Sequence, residues 1–209
     1  MTEAERDATR DAYDATWRKT TALHERDRDA PLRVLVLAER LPLASTSAFR
    51  MVSALTTMTE ELRVTVGVAE AAAADLEALE RTGVEVVVDP SPAWLGGRPM
   101  HATVAVVVGA AAAMRFGEAV LASQPQAALV YDPSGEAPPD HVAGRAGEAP
   151  LLVAAHVVLA PTQAHARFAR ELSATAQIVP AAPGTPDLDR AFVHALALSG
   201  VALPDAAFG

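Results

Sequence analysis

The most constraining feature of the sequence is the short apolar run Leu32, Val34, Leu35, Val36, Leu37 and Ala38, followed at once by a loop from Glu39 to Ser45. A run this brief and this nearly continuous suits a parallel strand covered on both faces. Thr46 or Ser47 stands where it can cap a helix, and Phe49, Val52, Leu55 and Met58 then recur at helical spacing and point at the strand. In open α/β sheets the loop leaving the carboxyl end of a strand is where ligands sit. Glu39, Arg40, Ser45, Thr46 and Ser47 are therefore the first ligand-binding candidates.

The same alternation continues along the chain. Leu62 to Val68 reads as a second strand, and Ala71 to Thr82 as a helix with Leu76 and Leu79 on one side and Gly83 just past its end. Val84 to Val88 is a third strand. Asp89 to His101 holds Pro90, Pro92, Gly96, Gly97 and Pro99 and predicts a surface loop without regular structure, with Trp94 either a plug over the core, the reading preferred, or an exposed contact. Thr103 to Val108 is a strand, and Ala110 to Ser123 a helix carrying Met114, Ala119, Val120 and Leu121. Ala127 to Tyr131 and Val157 to Ala160 are further strands. Between them Pro138, Pro139, Gly144, Gly147 and Pro150 predict irregular chain up to Leu151. Thr162 caps a helix through Leu172, and Gln177 to Val179 is a final short strand. Strands alternating with helices at this spacing imply parallel pairing through right-handed crossovers, hence a doubly wound, Rossmann-like α/β fold with a mainly parallel sheet.

Residues 1 to 30 differ from this pattern and form a charged helical arm, with Thr2 and Glu5 as a capping box and Asp14 and Arg18 as a helical ion pair. Tyr13 and Trp17 lie four apart on it. They dock on the body of the protein or on a partner, because an isolated helix gains little by exposing them. The expected organisation is thus an arm (1–30), a Rossmann-like domain (31–186) and a carboxyl-terminal helix and tail (187–209).

Composition excludes several function classes. The chain has 209 residues, 51% of them apolar, enough for one domain with a substantial core. A net charge of −9 with no basic cluster argues against nucleic acid and anionic lipid as partners. The absence of cysteine removes disulfides and thiolate metal sites, and the six histidines are scattered without metal-ligand spacing, so no metal is expected. The charged start Thr2 to Asp7 is unlike a secretory signal, which makes the cytoplasm the default location. The longest apolar run, Ala102 to Met114, falls short of the roughly 20 residues of a transmembrane helix. Glycine-rich phosphate loops, nucleophile elbows and zinc-protease motifs are all missing, so neither a cofactor nor a catalytic residue is assigned. The turn Asp132-Pro133-Ser134-Gly135-Glu136 leaves a strand end and makes Asp132, Ser134 and Glu136 ligand candidates, as is Thr162 after a later strand. Asp132 and Glu136 form either an acid/base pair or, more simply, two solvated carboxylates. His156, at the start of a strand, reads as structural.

A family resemblance emerges from particular segments. Pro31-Leu32-Arg33-Val34-Leu35-Val36-Leu37-Ala38-Glu39-Arg40-Leu41-Pro42, followed by Ser47-Ala48-Phe49-Arg50-Met51, resembles the opening of the amino-terminal, acceptor-side domain of GT-B glycosyltransferases of family 4. Leu79 to Val86 and Ala128 to Asp132 resemble later parts of that domain. Ala155 to Thr162 is similar to its "ADVVLAVS" segment, and Ile178-Val179-Pro180 to its closing "VVPNG". The departures bear on function. Ala44-Ser45-Thr46-Ser47 stands where the family carries paired glycines that admit donor phosphates, and Ala181-Ala182 replaces the final asparagine-glycine. The donor-binding domain with its paired glutamates does not follow before Gly209. The resemblance therefore implies a glycosyltransferase-like protein without its donor-binding half, a non-catalytic or accessory partner of a glycosyltransferase. Its expected partners are a donor-domain chain or a transferase, with a glycan or small-molecule acceptor as ligand. The alternatives are an acceptor-binding subunit of a split active transferase and an unrelated Rossmann-like module binding a small metabolite.

Overall fold

The computed structural model describes residues 32–41, 62–97, 102–133, 148–182, 185 and 187–200. Seven strands form among them: β1 (Arg33–Arg40), β2 (Arg63–Glu70), β3 (Glu85–Val88), β4 (Val104–Val108), β5 (Ala128–Asp132), β6 (Val157–Ala160) and β7 (Gln177–Pro180). All pair in parallel in one sheet of order β3-β2-β1-β4-β5-β6-β7. Strand order runs outward in both directions from the β1/β4 pair, which makes the sheet doubly wound, as the alternating pattern predicts. The described helices are α1 (Ala73–Glu80), α2 (Pro92–Gly97), α3 (Ala110–Ser123), α4 (Ala149–Ala154), α5 (Gln163–Leu172) and α6 (Leu188–Leu198).

Successive residues of a strand point to opposite faces, and here each face builds its own core. Val34, Val36, Val66, Val104, Val106, Val130, Val157 and Leu159 look to the first face, where Leu76 and Leu79 of α1 and Leu188, Phe192 and Leu196 of α6 meet them. Leu35, Leu37, Ala105, Val107, Leu129, Tyr131 and Val158 look to the second, against Leu95 of α2, Phe116 and Val120 of α3, Leu151 and Leu152 of α4 and Phe168 of α5. The abundant alanine of the chain lets α3 approach closely. Ala112 and Ala113 are buried against the sheet, and a Cβ on Gly117 would lie 3.6 Å from Leu151 Cδ1. After β7 the chain returns to the first face as α6, and Ser199 Oγ then donates to the carbonyl of His156 at 3.3 Å.

Three details differ from the sequence expectations. The proline- and glycine-rich stretch after β3 contains the short helix α2. Pro92 sits in its first turn, where its missing N–H costs nothing, and Ser91 Oγ accepts from Trp94 N at 3.1 Å as a cap. Leu95, at 1% exposure, is the buried plug, with Trp94 half-buried beside it. Pro150 likewise begins α4 instead of breaking it. On α3 the inward stripe is Ala112, Ala113, Phe116, Gly117 and Val120, which turns Met114 out to solvent. The helix expected over Thr46 to Met58 and the arm at residues 1–30 lie outside the described residues.

Candidate functional site

The carboxyl ends of the seven strands form one edge of the sheet. Neighbouring strands are about 4.8 Å apart, so the strand order sets a sequence of positions along that rim. It runs from Asp89 after β3, through Glu70 of β2, Glu39 and Arg40 of β1 and Gly109 after β4, to Asp132 of β5 and Thr162 after β6. The switch between the two winding directions lies at β1 and β4. In doubly wound sheets this switch point is where a ligand crevice is expected.

Gly109 makes the turn at this crevice in a single residue. Its φ of 85° and ψ of 158° belong to a region open to glycine alone, and the chain passes from β4 into α3 with no intervening loop. Gly109 N donates to the carbonyl of Asp132 at 2.7 Å, which ties the crevice to β5.

Beside the crevice, Arg115 reaches from the second turn of α3 to the β3 end of the rim. Its Nη2 lies 2.6 Å from Asp89 Oδ1. This hydrogen bond and the charge of Asp89, with the more distant carboxylates of Glu39 and Glu70, hold the guanidinium above its ordinary pKa, against the opposing effect of desolvation. Asp89 itself has a φ of 51°, a left-handed conformation that aspartate tolerates better than most residues. Its backbone N–H donates to the Val68 carbonyl at 2.7 Å, which fixes the turn. Asp89, Arg115, Pro90, Pro92, Leu95 and Phe116 line a depression of about 280 Å³. Arg40 stands directly opposite Glu70 across the β1/β2 pair. Among the described residues of this part of the rim, the carboxylates of Glu39, Glu70 and Asp89 outnumber the guanidinium groups of Arg40 and Arg115, and Arg115 is engaged by Asp89.

The other end of the rim is built for cohesion. Thr162 caps α5: its Oγ1 accepts from His165 N at 3.4 Å and lies 2.9 Å from His165 Nδ1. Below it, Tyr131 donates to Glu148 Oε2 at 2.6 Å, both side chains being buried. The cavity they share with His165 and Phe168 is about 10 Å³, large enough for one water at most. This pair ties α4 to β5. His156 has the structural part expected of it, its Nδ1 accepting from Leu129 N at 3.0 Å.

Of the candidates read from sequence, Glu39, Arg40, Asp132 and Thr162 all lie on the rim. Glu39 and Arg40 are adjacent to the crevice. Asp132, on β5 next to β4, is 2% exposed, so it is no solvated turn carboxylate. Thr162 is three strands from β1, with its hydroxyl committed to the helix cap. Ser45, Thr46, Ser47, Ser134 and Glu136, and the partner-docking candidates Tyr13 and Trp17, lie outside the described residues. Sequence reasoning missed Glu70, Asp89, Gly109 and Arg115. Arg115 left one trace, a cation in a largely apolar helical stretch whose other charge is Glu118, and only the fold connects it to Asp89.

No group of three or more histidine, aspartate or glutamate side chains among the described residues could hold a metal ion, and no described helix is long and apolar enough to cross a membrane. The described residues form a doubly wound, Rossmann-like α/β domain with an all-parallel seven-stranded sheet. No family model, curated protein or solved structure matches the chain.

Proposed function

We propose that this chain is a glycosyltransferase-like domain of the acceptor-side type, which binds a neutral, hydroxyl-rich molecule at the carboxyl rim. In this reading it serves a glycosyltransferase system as an accessory partner and does not catalyse transfer alone. The observation that carries the reading is the charge of the rim, where Glu39, Glu70 and Asp89 gather around an Arg115 that Asp89 already engages. Carboxylates accept hydrogen bonds from hydroxyl groups and repel phosphates. Such an edge favours a sugar acceptor over the diphosphate of an activated donor. Transfer also needs preorganised groups to stabilise the departing diphosphate, and around the crevice only Arg40 is exposed and outside any ion pair among the described residues. The resemblance of Pro31 to Pro42 and of Ala155 to Thr162 to the acceptor-side domain of GT-B enzymes supports the same assignment.

Isothermal titration of the full-length chain with methyl glycosides and, separately, with nucleotide sugars tests the proposal. Saturable binding of a neutral glycoside is expected. It should weaken about tenfold or more in Asp89→Asn or Glu39→Gln, since a hydrogen bond to a charged group is worth about 1.5–3 kcal/mol. Binding confined to nucleotide sugars, or turnover of a nucleotide sugar by the isolated chain, overturns it.

A further inference from the structure

A second concave site lies at the opposite end of the sheet, and its chemistry is the reverse of the rim's. Arg33 and Arg63 are register partners at the amino ends of β1 and β2. The strand alternation places both on the second face, with Leu35 and Thr65. Thr65 is buried and donates from its hydroxyl to Glu85 Oε2 at 2.7 Å. Together with Leu62, Gly83 and Ala102 these side chains line a depression of about 420 Å³, within the size range of small-molecule sites.

Two observations make this more than a polar patch. Like charges directly opposite on neighbouring strands are destabilising, and a parallel sheet ordinarily buries apolar side chains on both faces. Yet two arginines stand side by side here, and among the described residues neither forms an ion pair. Moreover, Arg33 Nε is buried with no hydrogen-bond partner, although its backbone N–H is satisfied by Thr103 Oγ1 at 2.9 Å. Nε itself is closed to solvent, so the terminal guanidinium nitrogens of Arg33 and the guanidinium of Arg63 are what meet the depression, and an oxyanion there would bond them while neutralising the repulsion. Among the described residues Glu85 is the only carboxylate lining the site, and its Oε2 accepts from Thr65.

We infer that this depression binds the anionic group of a small molecule, a phosphate or a carboxylate, between the guanidinium groups of Arg33 and Arg63. The site is independent of the sugar-binding reading of the rim. Arg33 supplies the terminal nitrogens of a half-buried guanidinium, Arg63 an exposed guanidinium that closes over the ligand, and Thr65 with Glu85 forms the floor.

The test uses the full-length chain, with inorganic phosphate and succinate as separate probes at constant ionic strength. Thermal unfolding and isothermal titration are read for wild type, Arg33→Gln, Arg63→Gln, the rim variant Asp89→Asn and the surface control Arg170→Gln. At least one probe should raise the melting temperature saturably, and whichever acts identifies the anion as phosphate or carboxylate. Loss of one charge-assisted donor should weaken that binding about tenfold or more in Arg33→Gln and in Arg63→Gln. Asp89→Asn and Arg170→Gln should bind as wild type does. Arg63 is exposed, so its variant keeps the test valid even if Arg33→Gln fails to fold. If neither probe stabilises the chain beyond sodium chloride of equal ionic strength, or if Arg63→Gln binds like the control, the inference fails.

Discussion

The two halves of the sheet, divided at the β1/β4 switch, are built on different terms. Every residue of β4, β5 and β6 is buried, whereas no residue of β3 is. Helix α3 buries Ala110, Ala112, Ala113, Phe116, Gly117 and Val120, while α1 buries none of its residues fully. The apolar surface removed from water is thus concentrated in the β4–β7 half, where the hydrophobic contribution scales with it. The β1–β3 half keeps Arg63, Thr65 and Glu85 on one face and Glu70 and Asp89 at its rim, and the depressions of about 280 and 420 Å³ border it. The difference teaches that cohesion and ligand chemistry are divided between the halves: one holds the fold, and the other is left polar enough to bind.

The largest effect should come from breaking the cohesive half. Phe192→Ala removes a fully buried ring from the first-face core and is expected to cost about 3–5 kcal/mol in denaturant unfolding. Leu79→Ala on α1, only partly buried against the same core, should cost clearly less. Equal losses would erase the contrast between the halves.

A smaller effect is expected where the polar half is itself tightly packed. A Cβ on Gly67 would lie 2.7 Å from Leu37 Cδ2 and 3.1 Å from Pro90 Cγ. Gly67→Ala should therefore destabilise by about 1–3 kcal/mol through overpacking. An unchanged melting temperature would mean that Pro90 yields without resistance, and that the turn carrying Asp89 is held less firmly than its backbone bond to Val68 implies.

The smallest stability effect belongs to Arg115→Gln, because the Arg115–Asp89 pair is solvent-exposed and such pairs contribute little. The folded-state pKa of Arg115 is raised, so its contribution is complete below the unfolded value and is lost only as pH rises through the folded one. Between pH 6 and about 9, melting curves of wild type and Arg115→Gln should therefore run parallel. A gap that opens within that window would show that another titrating group controls the pair.

The architecture was legible because each strand is a short Val-, Leu- and Ala-rich run, and in a parallel sheet such runs have few alternatives. Helix α5 was equally legible, since Thr162 announces its cap and Gly83 and Leu172 mark the ends of α1 and α5 nearby in pattern. Helix α2 was not, because Pro92 and Gly96 read as breakers until Ser91 is seen to cap a single turn-and-a-half in which proline stands first. For α3 the sequence marked the helix but not its faces: in an alanine-rich helix the buried stripe is set by the small residues that allow close approach, and Met114 stands outside it. Of the site, the sequence revealed only what lies beside a recognisable strand end, Glu39, Arg40 and Asp132. The pairing of Asp89 with Arg115 and of Arg33 with Arg63 depends on crossovers between segments 26 and 30 residues apart, and no local pattern records it.

The central claim is that the crevice between β1 and β4 is where this domain meets a neutral, hydroxyl-rich ligand. It is tested most directly by mapping backbone amide shifts of the full-length, isotope-labelled chain during titration with the glycoside that binds best. The account predicts that the amides of Glu39, Arg40, Glu70, Asp89 and Gly109 move together and saturate at one dissociation constant, while those of Arg33, Arg63 and Glu85 stay in place. Shifts confined to the amino ends of the strands, or spread over the surface without saturation, would contradict it.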